Sequence, residues 1–329
     1  MWDGKPDPRT DKFSIQTLNT ISLKMAPMTL VDPFGRKVTG LRIAITSRCN
    51  MSCLYCHHEG EEASPTGWRE ISGDEIVKVI LAGADLGVKK VKLTGGEPLM
   101  RPDLESILQR LPEGLDISLT TNGTLLAERA KSLAEAGLDR VNVSLDSLDP
   151  EVYSRITGGT EEDLRRVLEG IDAAIEAGLV PVKVNMVVLK ENEDEVWDMV
   201  DFTRDRGVIL QLIELLDLVG HGLGGDLLRI EKELESRADK IVTREMHRRR
   251  KYFLSGAEVE VVRPIDNTEF CANCNRLRVT SDGKLKPCLL RNDNLVDLGS
   301  ADLEETKRLI EKATLLRSPY FCEGRRGDQ

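Results

Sequence analysis

Cys49-Asn50-Met51-Ser52-Cys53-Leu54-Tyr55-Cys56 is the stretch that decides how this chain is read. Its three cysteines have the spacing C-x3-C-x2-C and directly follow the apolar run Leu41-Arg42-Ile43-Ala44-Ile45. A strand that ends in a cysteine-dense loop can gather three thiolates round one inorganic centre. Four cysteines saturate a four-iron cluster, so three leave one iron open to another ligand. A structural zinc with His57 or His58 as its fourth ligand fits the same spacing.

On the C-terminal side, strand-like and helix-like stretches alternate. Lys90-Val91-Lys92-Leu93, Asp116–Thr120, Arg140–Ser144, Val182–Val188 and Val208–Leu215 read as strands. Ser72 with Glu75 forms a capping box ahead of Ile76, Val79, Ile80 and Gly83 at helical spacing. Further helices are expected from Arg101 to about Arg110, from Thr121-Asn122-Gly123 to Gly137, over 162–177 before Gly178, and from Glu193 to about Arg206. Six strands separated by helices imply an α/β fold with a parallel sheet of right-handed crossovers. The sheet either closes wholly or partly into a barrel, with its chemistry at the strand C-termini, or stays open and doubly wound.

Composition sets the outer limits. The 329 residues carry 31% charged and 4% aromatic side chains, with a formal net charge of −10. That balance suits a helix-rich cytoplasmic protein and argues against nucleic acid as the main partner. No apolar run is long enough for a membrane span, and the polar N-terminus lacks a signal-peptide core. Seven cysteines in a reducing compartment suggest cluster or metal ligation rather than disulfides. Residues 1–27, which hold a candidate start at Met25 just ahead of Met28, read as a poorly ordered extension. The glycine-rich segment 216–226 marks a junction, giving a barrel domain over 28–216 and a C-terminal domain over 217–329. A charged helix is expected from about Asp226 to Arg250, ending in the basic run His247–Lys251, which either complements the helix dipole in solvent or contributes to anion capture.

The C-x3-C-x-aromatic-C loop after the first strand resembles the signature of the radical S-adenosylmethionine enzymes. Thr94-Gly95-Gly96-Glu97-Pro98 resembles that superfamily's second nucleotide motif. The resemblance implies a partial (β/α)6 barrel of the TIM type and a [4Fe-4S] cluster on Cys49, Cys53 and Cys56. The open iron would chelate S-adenosylmethionine, with Tyr55 against the adenine.

A second triad lies far along the chain: Cys271-Ala272-Asn273-Cys274, then Cys288 after thirteen intervening residues. Zinc ribbons use two C-x2-C pairs, so this pattern fits them poorly. Cys322, near a polar C-terminus, reads as a free thiol. Arg276 and Arg278 alternate on one short strand and so point to the same side, with Asp282-Gly283 as the hairpin turn. Paired guanidinium forks suit phosphate.

Phe270-Cys-x2-Cys-Asn-Arg-Leu-Arg-x9-Cys, together with the N-terminal triad, resembles the family of radical enzymes that cyclise GTP at the start of molybdenum-cofactor biosynthesis. The likeness runs from about Leu30 to about Asp297. It implies a second, auxiliary [4Fe-4S] cluster on Cys271, Cys274 and Cys288. It places Arg42, Lys92, Thr120, Lys183, Arg276, Leu277 and Arg278 at GTP, and Tyr55, Gly96, Ser144 and Leu216 at S-adenosylmethionine. It further implies an electron donor of the ferredoxin or flavodoxin kind and a downstream cyclic pyranopterin monophosphate synthase, and it is compatible with a homodimer. The chain departs from that pattern in three places. It ends Gly324-Arg-Arg-Gly-Asp-Gln329 rather than in Gly-Gly, Gln211 stands where an arginine is common, and Leu216 where a methionine is common. Two rival readings remain: a peptide-modifying radical enzyme, which would carry a leader-binding domain, and a non-enzymatic zinc or electron-transfer protein.

Overall fold

The computed structural model describes residues 29–61, 69–217, 220, 222–264 and 267–320, so the extension 1–27, Cys322 and the chain's last residues lie outside it. The expected strands follow in order: β1 (Gly40–Ala44), β2 (Lys90–Thr94), β3 (Asp116–Thr121), β4 (Arg140–Ser144), β5 (Lys183–Val188) and β6 (Ile209–Glu214). Each pairs in parallel with the next. The crossovers carry α1 (Gly73–Asp85), α2 (Leu104–Leu108), α3 (Leu126–Glu135), α4 (Pro150–Thr157), α5 (Glu161–Glu176) and α6 (Val196–Asp205). The Ser72–Glu75 capping box is formed at the start of α1. The sequence reading missed α4, although Asp149 caps it and Pro150 occupies its first turn.

Alternation of side chains sorts these strands into two unlike faces. Outside, Leu41, Ile43, Val91, Leu93, Leu119, Val141, Val143, Val184, Met186 and Leu210 are buried in one apolar core. Inside, the register sets Arg42 beside Lys92, Lys92 beside Ser118, Thr120 beside Asn142, and Asn142 beside Lys183. Parallel sheets covered on both faces ordinarily read as continuous apolar runs. Here the concave face is polar and charged, which reserves it for a ligand.

The chain beyond the glycine-rich segment extends the same sheet at both edges. β9 (Ala257–Val262) adds in parallel to β6, and β10 (Arg276–Val279) adds in parallel to β1. β7 (Lys240–Thr243) and β8 (Arg250–Leu254) continue antiparallel beyond β9, and β11 (Lys284–Lys286) and β12 (Val296–Asp297) beyond β10. The sheet order is β12-β11-β10-β1-β2-β3-β4-β5-β6-β9-β8-β7, and it does not close. Of the remaining helices, α7 (Leu227–Arg237) precedes β7, α8 (Thr268–Ala272) precedes β10, and α9 (Leu303–Leu315) packs on α1. Across the open side the short turn Met246–Arg248 meets α8. His247 stacks on Phe270 with ring centroids 3.7 Å apart, and its backbone N–H donates to the Asn273 carbonyl.

The long charged helix expected over Asp226–Arg250 is corrected by this arrangement. It stops at Arg237, and Lys240-Ile241-Val242-Thr243 returns as an edge strand. β-branched residues favour the pleated form once a partner strand is available, and β8 supplies it.

The loop after β2 braces the cysteine loop. Gly96 N–H donates to the Thr46 carbonyl, and Glu97 N–H to that of Arg48. A Cβ on Gly96 would stand 2.2 Å from the Arg48 oxygen, so only glycine permits this approach. The buried Glu97 carboxylate then accepts from Leu99 N–H (2.9 Å), the Thr121 hydroxyl (2.7 Å) and Asn122 N–H (2.6 Å), tying the β2 and β3 loops together. Glu97→Ala would strand three buried donors. It is expected to cost about 3 kcal/mol in anaerobic urea unfolding, against less than about 0.5 kcal/mol for the exposed control Glu113→Ala.

Candidate active site

The first triad sits at the C-terminal mouth of β1. Its loop is hydrogen-bonded to the end of α4, with Ser52 N–H donating to Thr157 and Leu54 N–H to Ile156. Cys49 and Cys56 are exposed and Cys53 is half-buried, all as free thiols. Burial, together with the neighbouring Asp146, Cys56 and Cys49 charges, pushes the Cys53 thiol up to about 12. Such a thiol stays protonated until a metal centre displaces the proton. His58 Nδ1 lies 3.7 Å from Cys56 Sγ. Even so, no three His, Cys, Asp or Glu side chains among the described residues are gathered to hold one metal ion. A cluster suits such a triad better, because each thiolate takes a different iron and the ligands stand further apart than on a single zinc.

Tyr55 is held in place by a residue the sequence reading did not pick out. Its hydroxyl donates to Asp146 Oδ2 at 2.5 Å, while Asp146 Oδ1 accepts from Val187 N–H. Its ring joins a small apolar cluster with Ile156, Leu189 and Leu215. Leu216 lies one residue beyond that cluster. Gly96 and Ser144 lie at the same mouth, at the ends of β2 and β4.

The second triad lies at the opposite end. Because β10 runs parallel to β1 with Arg276 beside Gly40, Cys271 and Cys274 precede the strand at the N-terminal mouth. β11 runs the other way and delivers Cys288 to that same end. Five strand residues at about 3.3 Å each make the intervening wall roughly 17 Å high. The C-x2-C turn is gripped from behind: Arg36 donates to the Cys271 carbonyl (2.8 Å) and Arg317 to that of Cys274 (2.7 Å). Buried Asp32 holds both arginines, at 2.6 and 2.9 Å.

Along the N-terminal halves of the strands, beside the second mouth, lies a cavity of about 110 Å³ lined by Lys92, Lys183, Gln211, Arg244, Arg249 and Arg276 among others. Arg42 and Arg278 stand next to Lys92 and Arg276 in the adjoining rows. Apart from Lys90 and Arg140, which also line the cavity and pair with Asp116, seven cations face two carboxylates. Glu59 bridges Arg42 (2.6 Å) and Arg278 (3.0 Å), and Glu260 binds Lys183 (2.5 Å), Arg244 (3.0 Å) and Arg249 (3.1 Å). Lys92 and Arg276 have no acidic partner among the described residues. Burial, reinforced by Arg42 and the other cations, holds Lys92 well below the ordinary lysine range and Arg276 down to about 9. The buried Thr120 hydroxyl has no hydrogen-bond partner. Five uncompensated positive charges and an idle hydroxyl amount to an anion site awaiting its ligand.

Two expectations change here. The barrel's chemistry was expected at the strand C-termini, yet Lys183 opens β5 and Arg42 and Lys92 are third in their strands, so these cations line the wall rather than the rim. An inward residue in mid-strand faces the chamber as directly as one at the end. Leu277 was grouped with Arg276 and Arg278, but it points to the other face and is fully buried in the apolar core. Its side chain cannot reach the chamber. Glu59, Glu260 and Arg244 were missed, and no local motif marks them, whereas Arg249 lies in the basic run His247–Lys251, for which anion capture was the alternative reading.

A half-barrel whose first strand ends in a C-x3-C-x2-C loop defines the radical S-adenosylmethionine enzymes, and residues 43–203 match that superfamily. Residues 210–320 match the family described as Molybdenum Cofactor Synthesis C. The chain is 55% identical over 302 residues to a Methanosarcina mazei protein named probable GTP 3′,8-cyclase, covering 89% of this chain and 90% of that one. A Methanothermobacter marburgensis protein of the same name is 51% identical over 308 residues, covering 89% and 99%. The chain belongs to the GTP 3′,8-cyclase family. Among solved structures, Streptococcus suis SuiB bound to precursor peptide SuiA has a TM-score of 0.62 at 18% identity, over 82% of this chain and 64% of SuiB. AdoMet-bound anSMEcpe has a TM-score of 0.56 at 17% identity, over 83% and 81%. Those two likenesses concern the fold. No helix among the described residues is long and apolar enough to cross a membrane.

The charge imbalance predicts opposite effects on stability and binding. Lys92→Met should stabilise the ligand-free protein by about 1 kcal/mol, because it removes a buried cation with no partner. Inorganic tripolyphosphate at about a hundred times its Kd should stabilise the unsubstituted protein by about 2.7 kcal/mol. The same addition should do much less for the Lys92→Met variant, and anaerobic thermal melts read both effects.

Proposed function

We propose that this chain converts GTP to (8S)-3′,8-cyclo-7,8-dihydroguanosine 5′-triphosphate, the first step of molybdenum-cofactor biosynthesis. One observation supports this most directly: a chamber with five unmatched positive charges lies between two cysteine triads at opposite mouths. A nucleoside triphosphate brings about four negative charges and has the length to span such a chamber. Cys49, Cys53 and Cys56 would hold the [4Fe-4S] cluster that binds S-adenosylmethionine. Cys271, Cys274 and Cys288 would hold a second such cluster, with an iron open to the guanine. When loaded, the first site would supply a 5′-deoxyadenosyl radical able to take hydrogen from C3′ of the substrate.

The chain's own groups bind and orient. Fixed cations on rigid strands neutralise the phosphates without large reorganisation, so the ribose is presented to the first mouth in one orientation. Tyr55, pinned by Asp146, gives the adenosine of S-adenosylmethionine a rigid wall, and Ser144 and Gly96 border the same space. Thr120 offers the buried hydroxyl that the free protein leaves idle. The turn at His247, packed on Phe270, covers the open side and restricts water. A donor of the ferredoxin or flavodoxin kind would supply the electrons, and cyclic pyranopterin monophosphate synthase would take the product.

GTP carrying deuterium at C3′ should pass its label to 5′-deoxyadenosine. Retention of the label while S-adenosylmethionine is still cleaved would point to another substrate. Reconstitution should give about eight irons per chain, and Cys288→Ser about four.

The grip on the C-x2-C turn makes a separate prediction. Asp32→Asn should loosen Arg36 and Arg317, broadening or shifting the electron paramagnetic resonance signal of the second cluster while the signal of the first stays unchanged. Equal change in both signals would mean a general loss of folding instead.

A further inference from the structure

Buried polar atoms without a hydrogen-bond partner collect along the second cysteine triad. Asn275 Oδ1 is one, and both ring nitrogens of His247 are others. Asn275 directly follows Cys274 and lines the cavity. His247 lies between Met246 and Arg249, which line the same cavity, and its N–H donates to the Asn273 carbonyl inside the C-x2-C turn. Asn275 is fixed in place by its neighbours. Its carbonyl accepts from Thr39 and Gly40 N–H, and its Nδ2 donates to the Thr39 hydroxyl at 3.0 Å, which leaves the amide oxygen idle. His247 is held in a strained turn, because it and Arg248 take left-handed φ values of 61° and 51°. Its ring stacks on Phe270, and only 5% of the residue is exposed. Burial, reinforced by Arg276, Arg249, Arg278 and Arg244, holds the imidazole well below its ordinary range. It therefore stays neutral and keeps a lone pair to offer.

Unpaired buried polar atoms are costly, and several in one place call for a ligand that completes them. The idle groups define its chemistry. Elsewhere the cavity presents cations, which suit phosphate oxygens. Along this seam the idle amide oxygen and imidazole lone pair are acceptors, and a phosphate oxygen has no hydrogen to give them. Two acceptors need two donor hydrogens close together, and an amino group supplies both from one nitrogen. On GTP that group is the exocyclic amine at C2 of the guanine. We propose that Asn275 Oδ1 and the His247 imidazole receive the two hydrogens of this amine, so that the seam selects a 2-aminopurine base. This deepens the reading of the chamber as a GTP site with its base at the second triad, and rests on it.

Anaerobic calorimetry on the reconstituted protein tests the assignment, with GTP, inosine triphosphate (which lacks only the amine) and inorganic tripolyphosphate as probes. The unsubstituted protein should bind GTP at least about tenfold more tightly than inosine triphosphate, because the latter leaves both acceptors unpaired. His247→Phe keeps the ring stack on Phe270 but removes both nitrogens, and Asn275→Ala removes the amide oxygen. Each should weaken GTP by about tenfold and inosine triphosphate by less than about twofold, with tripolyphosphate unchanged. Normal tripolyphosphate binding shows that a variant has folded with its chamber intact. His247→Phe keeps the test open if Asn275→Ala, which also loses the bond to Thr39, fails that control. Equal affinity of the unsubstituted protein for GTP and inosine triphosphate would overturn the proposal while leaving the GTP site standing. Equal weakening of both nucleotides in a folded variant would do the same. An unsubstituted protein that binds neither nucleotide would overturn both readings together.

Discussion

Repulsion inside the half-barrel is the constraint to which the rest of this structure answers. Seven cations are held on a concave wall by only two carboxylates, and each carboxylate is shared. Glu59 joins β1 to β10, while Glu260 joins β5 and β9 to the segment before β8. Each therefore stitches one edge of the original six-stranded sheet to the C-terminal addition. Removing either carboxylate would leave buried guanidinium groups facing one another in a poorly screened space, where such contacts are most costly. The stability forgone in keeping Lys92 and Arg276 without partners is the usual consequence of building a site for an anion that comes and goes.

Glu59 also links the two mouths. It belongs to the short turn His58–Gly60 that follows Cys56 and dips into the barrel. Next to it, the backbone of Gly60 lies against the Leu289 carbonyl so closely that a Cβ would stand 2.3 Å from that oxygen. Lys286 donates to the Gly60 carbonyl at 2.6 Å, and Glu61 accepts from both the N–H and the hydroxyl of Ser281. Leu289 directly follows Cys288. A continuous run of packed and hydrogen-bonded groups thus connects the last cysteine of the first triad to the last cysteine of the second. A connection of this kind fixes the spacing of the two cysteine triads, and small displacements matter wherever groups must be held in one orientation.

Much of this was legible in the chain itself. The cysteine spacings, the Ser72–Glu75 cap, the strand and helix alternation through β6, and the shared face of Arg276 and Arg278 are local patterns. They depend on residues a few positions apart, where strand alternation and helical periodicity act directly. Local patterns misled where a tertiary partner outweighed them. The charged stretch after Arg237 has a helical composition, yet it pairs as a β-meander once β8 and β9 lie alongside. Leu277 sits between two arginines in sequence but faces the opposite way in space, because a strand turns successive side chains to opposite faces.

The order of the sheet and everything that follows from it belong to the tertiary structure. No spacing in the sequence says that β10 returns to the side of β1 and β9 to the side of β6, since both pairings join segments far apart in the chain. Those two pairings place the second triad at the opposite mouth, bring Arg244 and Arg249 into the chamber, and set Glu59 between Arg42 and Arg278. Asp32, Asp146 and Glu260 acquire their roles only there: each is an ordinary acid in sequence, but in the fold Asp32 and Glu260 are shared, buried counter-ions and Asp146 is a buried acceptor for Tyr55 and Val187. The sequence by itself determined which groups can carry the chemistry, because ligand type and local spacing are short-range properties. The fold decided which of them share a space, because desolvation and charge pairing act across the sheet rather than along the chain.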